Sequence, residues 1–274
     1  MRSTDRLGIT VSVVVLGLLV STFVPLPSQG LVLVLFGSEL ALRLSGAVQV
    51  ALILVPLVCA GVDSVMRAHP RSQPPAHRVA LWMLPTLVVI VSFVVLGHLA
   101  WWGHGLAFIG LTGLVLAVVM VLQRRTATPG DESNRVARVG LNAVAFAVGL
   151  ILFVTLYGSR LRSILSTVGV LLVSGMLALE LLRTVRRTTG YTWLYVGLTG
   201  VLMGELAWAL SYCSLEPAIG GGFLLLAFYT LTGLMQQHLR GRLSKRVIVE
   251  FGAVCAIGLV LLTSIAGGLS PSTG

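Results

Sequence analysis

The stretch 163–187, SILSTVGVLLVSGMLALELLRTVRR, is an apolar run, Ser163–Leu182, followed at once by Arg183, Arg186 and Arg187. About 20 predominantly apolar residues are enough to cross the hydrocarbon core of a bilayer as a helix. The arginines indicate which way the helix crosses, because positive charge collects on the cytoplasmic loops of membrane proteins. The stretch therefore predicts a membrane-spanning helix whose carboxyl end faces the cytoplasm.

The composition of the whole chain agrees with that prediction. Of the 274 residues, 56% are hydrophobic and only 10% are charged, and the mean hydropathy is +0.98. Soluble domains carry about 25% charged residues. The net charge of +10 does not indicate a nucleic-acid partner, because the charges lie in short loops beside apolar runs and not on one basic face. The expected partner is the lipid bilayer.

Nine apolar runs predict a single polytopic transmembrane domain over residues 1–274. The runs are Leu7–Val24, Gly46–Met66, Val79–His98, Gly105–Leu122, Val139–Tyr157, Ser163–Leu182, Tyr191–Tyr212, Gly222–Leu239 and Val247–Gly267. Sixteen of the nineteen basic residues fall on one side of these runs, and the other side holds only Arg43, Arg160 and Arg162. We therefore expect an all-α protein of about nine membrane-spanning helices, with its N-terminus cytoplasmic and its C-terminus outside.

One segment, 31–45, departs from the helical pattern. Leu31–Phe36 is a continuous apolar run, and after Gly37 and Ser38 polar residues alternate with leucines up to Ser45. Alternation with period two after a turn is typical of a β-hairpin. Because open strands do not cross the hydrocarbon core, we expect a small hairpin on the outer membrane surface. The alternative interpretation is a short interfacial helix.

Glu205 is the sharpest candidate for a functional residue, because an ionisable side chain inside a membrane span is costly and is a functional-site hypothesis by default. Trp208 and Tyr212 follow it at i+3 and i+7, so the three side chains share a helical face. Gly200 and Gly204 form a G-x-x-x-G pair beside it, which lets another helix approach closely. The alternative is a structural carboxyl group that holds helices together.

Two outer arginines, Arg160 and Arg162, form a second candidate site beside Tyr157. Guanidinium groups bind phosphates and carboxylates well, so the pair is a candidate anion site. A simpler interpretation is that the arginines pair with acidic residues on the same side. Those acidic residues are Glu39, Glu205 and Glu216.

Three further residues complete the set of candidate ligand-binding side chains. Glu39 and Arg43 lie in the predicted hairpin, on the same side of the membrane as Glu205. Tyr229 lies nearer the outer half of the eighth span and is a candidate neighbour of Glu205, although the rotation of that helix is not fixed by the sequence.

The sequence predicts neither a metal site nor a cofactor. His98 and His104 bracket a tryptophan pair and are typical of polar residues at a membrane interface. The three cysteines show no metal-ligand spacing. At the cytoplasmic helix ends, three pairs are expected at helical spacing: Asp63 with Arg67, Glu180 with Arg183, and Arg246 with Glu250.

Three segments carry a resemblance to a known family. They are Gly204–Leu210 (GELAWAL), the pattern Phe228-Tyr229-x-x-x-Gly233-x-x-Gln236-Gln237, and the pattern Val62-Asp63-x-x-x-Arg67-x-His69-Pro70. Together they resemble an uncharacterised family of bacterial polytopic membrane proteins, seen particularly in Chloroflexi-like bacteria. The resemblance covers nearly the whole chain. It implies a bacterial inner-membrane location and assigns no catalytic residue and no activity.

The function predicted first is non-enzymatic: a membrane scaffold or accessory subunit that holds a lipid, a polyprenyl carrier or a partner helix. The main alternative is a membrane enzyme acting on a lipid-linked or phosphorylated substrate at the outer leaflet, with Glu205 as base and Arg160 and Arg162 binding anionic groups. A third is a proton-coupled transporter that uses Glu205. The sequence leaves open whether the protein is an enzyme.

Overall fold

The computed structural model describes residues 3–24, 27, 29–35, 38–44, 46–67, 75–99, 102–127, 133–159, 163–183, 189–213, 215–241 and 244–269. In these ranges the chain forms nine helices. They are α1 (Ser3–Phe23), α2 (Gly46–Arg67), α3 (Pro75–Leu96), α4 (Trp102–Ala127), α5 (Ser133–Gly158), α6 (Ser163–Leu182), α7 (Thr189–Leu210), α8 (Pro217–Leu239) and α9 (Lys245–Leu269).

Within the described ranges, the eight helices α1 to α8 are each long and apolar enough to cross a membrane. The prediction of a multi-pass membrane protein built from helices is confirmed. The last helix, α9, has 25 residues, and its crossing of the membrane stays a prediction. Large apolar side chains such as Leu16, Ile53 and Ile164 face outward, as expected of helices that contact lipid and not water.

The backbone between α1 and α2 contains two seven-residue strands, β1 (Gln29–Leu35) and β2 (Ser38–Leu44). They pair antiparallel, with Leu35 opposite Ser38 and Gln29 opposite Leu44. The position of this segment on the membrane surface stays a prediction.

The helices fall into two compact units, Met1–Leu141 and Asn142–Gly274, called here the first and second unit. In the first unit, α1 packs on α2, α3 and α4, and α3 packs on both α2 and α4. The core is apolar, with Leu18, Val58 and Leu116 fully buried. Two buried hydroxyl groups in it are hydrogen-bonded across helices: Ser92 Oγ of α3 donates to Thr112 Oγ1 of α4 over 3.0 Å, which compensates for the hydrogen bonds to water that they lose on burial.

In the second unit, α6 packs along α7, and α8 contacts α6, α7 and α9. Phe153 of α5 and Phe228 of α8 are fully buried, and their ring centroids lie 5.9 Å apart in a T-shaped pair. At Gly221 of α8 an added Cβ would lie only 2.6 Å from the Val154 Cα atom of α5. The two helices therefore touch through their backbones at this position, which only glycine permits.

Candidate functional site

Helix α7 carries Glu205, and its orientation is set by close packing on α6. Gly200 and Gly204 are buried. A Cβ added at Gly200 would lie 3.1 Å from the Leu171 carbonyl oxygen, and one at Gly204 would lie 3.3 Å from the Leu171 Cβ atom. The G-x-x-x-G pair thus allows α6 and α7 to approach closely, as small residues do between membrane helices. This contact turns Glu205 away from α6.

Glu205 is exposed on the surface of α7. Trp208 is 50% exposed and Tyr212 is 75% exposed, and the two rings form a T-shaped pair with centroids 5.6 Å apart. The structure therefore brings together three of the residues singled out from the sequence, on one outward-facing surface. The exposure of Glu205 shows that the described residues do not enclose its side chain.

Six of the exposed residues of α7 and of the turn that follows it form a continuous line, which we call the α7 stripe. It consists of Leu194, Leu198, Val201, Glu205, Trp208 and Tyr212, all of which are exposed. The spacing along it alternates between four and three residues, the spacing by which one helix presents a seam to another. Glu205 is the acidic residue within this otherwise apolar and aromatic surface. A helix face of this kind is suited to contact a second helix.

Tyr229 packs elsewhere in the second unit. Its ring centroid lies 5.6 Å from that of Phe146 on α5 and 5.7 Å from that of Phe251 on α9. Between the residues that the structure describes, no hydrogen bond or ring contact joins Tyr229 to Glu205. The rotation of α8 therefore gives Tyr229 an aromatic environment of its own.

Four candidate residues cannot be placed in the site. Arg160 and Arg162 lie outside the described residues. Glu39 and Arg43 belong to strand β2, but their side chains also fall outside what the structure describes. Their predicted roles in binding an anion stay predictions.

Tyr157, which the sequence places beside the two arginines, binds the end of α7. Its hydroxyl donates a hydrogen bond to the Cys213 carbonyl oxygen over 2.7 Å and lies 3.2 Å from the Leu210 carbonyl oxygen. These are carbonyl groups at a helix end, where four of them lack intrahelical partners. Tyr157 thus fixes the end of α7 at which Trp208 and Tyr212 lie. No sequence signal links Tyr157 to α7, because the two lie more than fifty residues apart.

Two of the three predicted ion pairs at the helix ends are confirmed, and they differ in the burial of the arginine. Arg246 and Glu250, both described and exposed, form no ion pair. Arg183 donates two hydrogen bonds to the Glu180 carboxylate, over 2.9 and 2.7 Å, and the two side chains are only 10% and 3% exposed. In the pair of Arg67 with Asp63, the arginine is 67% exposed but the aspartate is only 12% exposed. The buried pair is near α8, since Gln236 donates to the Leu181 carbonyl oxygen over 3.3 Å.

Within the described ranges, no group of three or more His, Cys, Asp or Glu side chains is arranged to hold a metal ion.

Comparison with known proteins agrees with the resemblance seen in the sequence. A model of the family described as protein of unknown function (DUF5656) matches residues 26–265. Searches of curated proteins and of solved structures found no match. The match covers eight of the nine helices in full or nearly so, and it includes Glu205 and the α7 stripe. The chain belongs to the DUF5656 family of proteins of unknown function.

Proposed function

We propose that this protein is a membrane scaffold subunit that docks a transmembrane helix of another protein along the α7 stripe. The observation that carries the proposal is the exposure of Glu205 on an apolar spanning helix. Glu205 lies five residues before the last residue of α7, where an acidic side chain costs less than the ~2.5–3.5 kcal/mol of the span centre but still faces apolar surroundings. Among the residues that the structure describes, none forms a hydrogen bond or ion pair with Glu205, and in this proposal a polar group on another molecule satisfies its carboxyl group.

The chemistry of the stripe describes the partner. Carboxylate oxygens accept hydrogen bonds, so the partner helix carries a donor side chain (Arg, Lys, His, Asn, Gln or Ser) at the depth of Glu205. The apolar residues Leu194, Leu198 and Val201 contact its remaining surface. Trp208 and Tyr212 extend the contact towards the membrane interface, where aromatic side chains are favoured. One donor facing one acceptor also fixes the register between the two helices.

The structure offers a spatial test by photo-cross-linking in the native membrane. A photoreactive amino acid placed at Leu194, Leu198 or Val201 should give one discrete protein adduct, because these positions line the stripe. Placed at Val168 or Leu172, on the exposed apolar face of α6, it should give no such adduct. Adducts of equal yield from α6 and α7 would contradict docking along α7.

The identity of the adduct decides whether this contact is the proposed one. The cross-linked protein should have a membrane span with a donor side chain at the matching depth, and removing that donor should abolish the adduct. If the adducts at the stripe are lipids only, the scaffold proposal is wrong. A lipid-linked adduct would instead favour an enzyme acting at the outer leaflet.

We also propose a topology in which the chain crosses the membrane nine times, with the N-terminus in the cytoplasm and the segment 29–44 on the outer surface. In this topology the Glu205 end of the α7 stripe lies in the outer half of the membrane. The asymmetric distribution of the basic residues supports this topology. Ser159, which is exposed after α5, then lies outside the cell, and Ser244, exposed before α9, lies inside.

Cysteine labelling checks this topology. In a background where the three native cysteines are replaced, Ser159→Cys should react with a membrane-impermeant thiol reagent in intact cells. Ser244→Cys should react only after the cells are opened. The reverse pattern would contradict the orientation and would place Glu205 in the inner half of the membrane.

A further inference from the structure

The first unit contains an open groove between α1 and α2, far along the chain from the α7 stripe. It has a volume of about 350 Å³ and is lined along most of its length by apolar side chains, among them Ile9, Val13 and Leu57. That volume falls within the range of about 300–1,000 Å³ found for small-molecule sites. Both helices that form it are candidate membrane spans, so the groove opens where acyl chains are present.

One end of the groove is polar. Arg6 of α1 donates from Nη1 to the Ser64 carbonyl oxygen of α2 over 3.1 Å, and Thr10 Oγ1 donates to the Arg6 carbonyl oxygen over 2.9 Å. The helices touch here, because a Cβ added at Gly61 would lie 2.4 Å from Thr10 Cγ2. The bond to Ser64 uses one of the five N–H donors of a guanidinium group. It also holds the Arg6 side chain at the groove's end.

We propose that this groove binds one acyl chain of an anionic phospholipid, with the lipid phosphate at Arg6. The apolar wall fits a hydrocarbon chain, and a guanidinium group fits a phosphate. The distribution of charge puts the Arg6 end of both helices at the cytoplasmic face, where basic pockets between membrane helices bind anionic headgroups. Arg6 lies at the cytoplasmic end of the groove and the apolar wall lies deeper in the membrane, which matches the positions of the headgroup and the acyl chain of a lipid.

The test measures lipid retained by the purified full-length protein. The protein in detergent is mixed with equal amounts of phosphatidylglycerol and phosphatidylcholine that have the same acyl chains, and bound lipid is counted by native mass spectrometry. The wild type should retain one phosphatidylglycerol and prefer it about fivefold, the effect of a single basic side chain near a membrane surface. Millimolar inorganic phosphate should not displace it, because the chain contributes to binding.

Two variants separate the headgroup from the chain. Arg6→Gln should abolish the preference for phosphatidylglycerol while lipid is still retained. Ala60→Phe adds bulk at an exposed position of the groove wall and leaves the Arg6–Ser64 bond in place, so retention of both lipids should fall severalfold. Arg125→Gln, at the exposed inner end of α4, is the matched control and should change neither quantity.

Three results would overturn the proposal. The wild type retains the two lipids equally, or Arg125→Gln reduces the preference as much as Arg6→Gln, or Ala60→Phe leaves retention unchanged. None of these depends on α7, so failure here is distinguishable from failure of the docking proposal.

Discussion

Gly221→Ala is expected to destabilise the second unit strongly. The added Cβ would lie 2.6 Å from the Cα atom and 2.7 Å from the backbone nitrogen of Val154. Backbone atoms cannot rotate away as a side chain can, so α5 and α8 must separate. Overpacking of a close-packed interior costs about 1–3 kcal/mol and occasionally more, and we expect the upper end of that range here. That loss lowers the apparent melting temperature in detergent by about 6–12 °C.

Gly197→Ala is the matched control, because it makes the same chemical change in the same unit. A Cβ at Gly197 of α7 meets no atom within 4 Å, and alanine is favoured over glycine in a helix by about 1 kcal/mol. This variant should melt at or above the wild-type temperature. Equal melting temperatures for the Gly221→Ala and Gly197→Ala proteins would contradict the close contact of α5 with α8.

Arg183→Met is expected to have the second large effect. It removes the guanidinium group that donates two hydrogen bonds to Glu180, and the Glu180 side chain is almost fully buried. Breaking a buried ion pair by removing one partner costs about 3–5 kcal/mol, because a buried charge loses its compensation. Thermal unfolding in detergent should show a drop comparable to that of Gly221→Ala.

Arg67→Met tests whether burial of the arginine is the cause, since Asp63 is only 12% exposed but its partner Arg67 is 67% exposed. Water can take the place of the exposed Arg67 at the Asp63 carboxylate more readily than it can replace the buried Arg183 at Glu180, so this variant should lose less stability than Arg183→Met. Replacing Glu180 and Arg183 together, by Gln and Met, should cost less than Arg183→Met alone. Equal losses for Arg67→Met and Arg183→Met would contradict the argument from burial.

The helices could be predicted well because their signals are local. Ser163–Leu182 has the bounds of α6, and Tyr191–Tyr212 is displaced by two residues from α7. In both cases the arginines or polar residues on either side of an apolar run determine where the helix begins and ends. That Glu205, Trp208 and Tyr212 share a face also followed from the sequence, since spacings of three and four residues fix it in any helix.

The direction in which a helical face points could not be predicted, because it depends on distant partners. Glu205 faces outward since Gly200 and Gly204 pack on Leu171 of α6. Tyr229 faces Phe146 and Phe251 for the same kind of reason. The helix rotations come from packing between segments far apart in the chain, and periodicity carries no information about them.

The groove beside Arg6 could not be predicted from the sequence for a related reason. It requires a particular stagger of α1 against α2, in which Gly61 meets Thr10 and Arg6 reaches Ser64. An arginine near the start of a first span is indistinguishable in sequence from an ordinary topological charge. Only the packing of the two helices shows that this one closes the end of a cavity.

The most direct test of the docking proposal is the yield of the protein adduct formed from a photoreactive residue at Leu198 when Glu205 is replaced. Glu205→Ala should reduce that yield about tenfold, since hydrogen bonds between membrane helices are worth about 1–2 kcal/mol in model peptides. Glu205→Gln retains an oxygen that accepts a hydrogen bond, so the adduct yield should be preserved. Both purified variants should have the melting temperature of the wild type. An undiminished adduct in Glu205→Ala, or a melting temperature that falls with the adduct, would contradict the account.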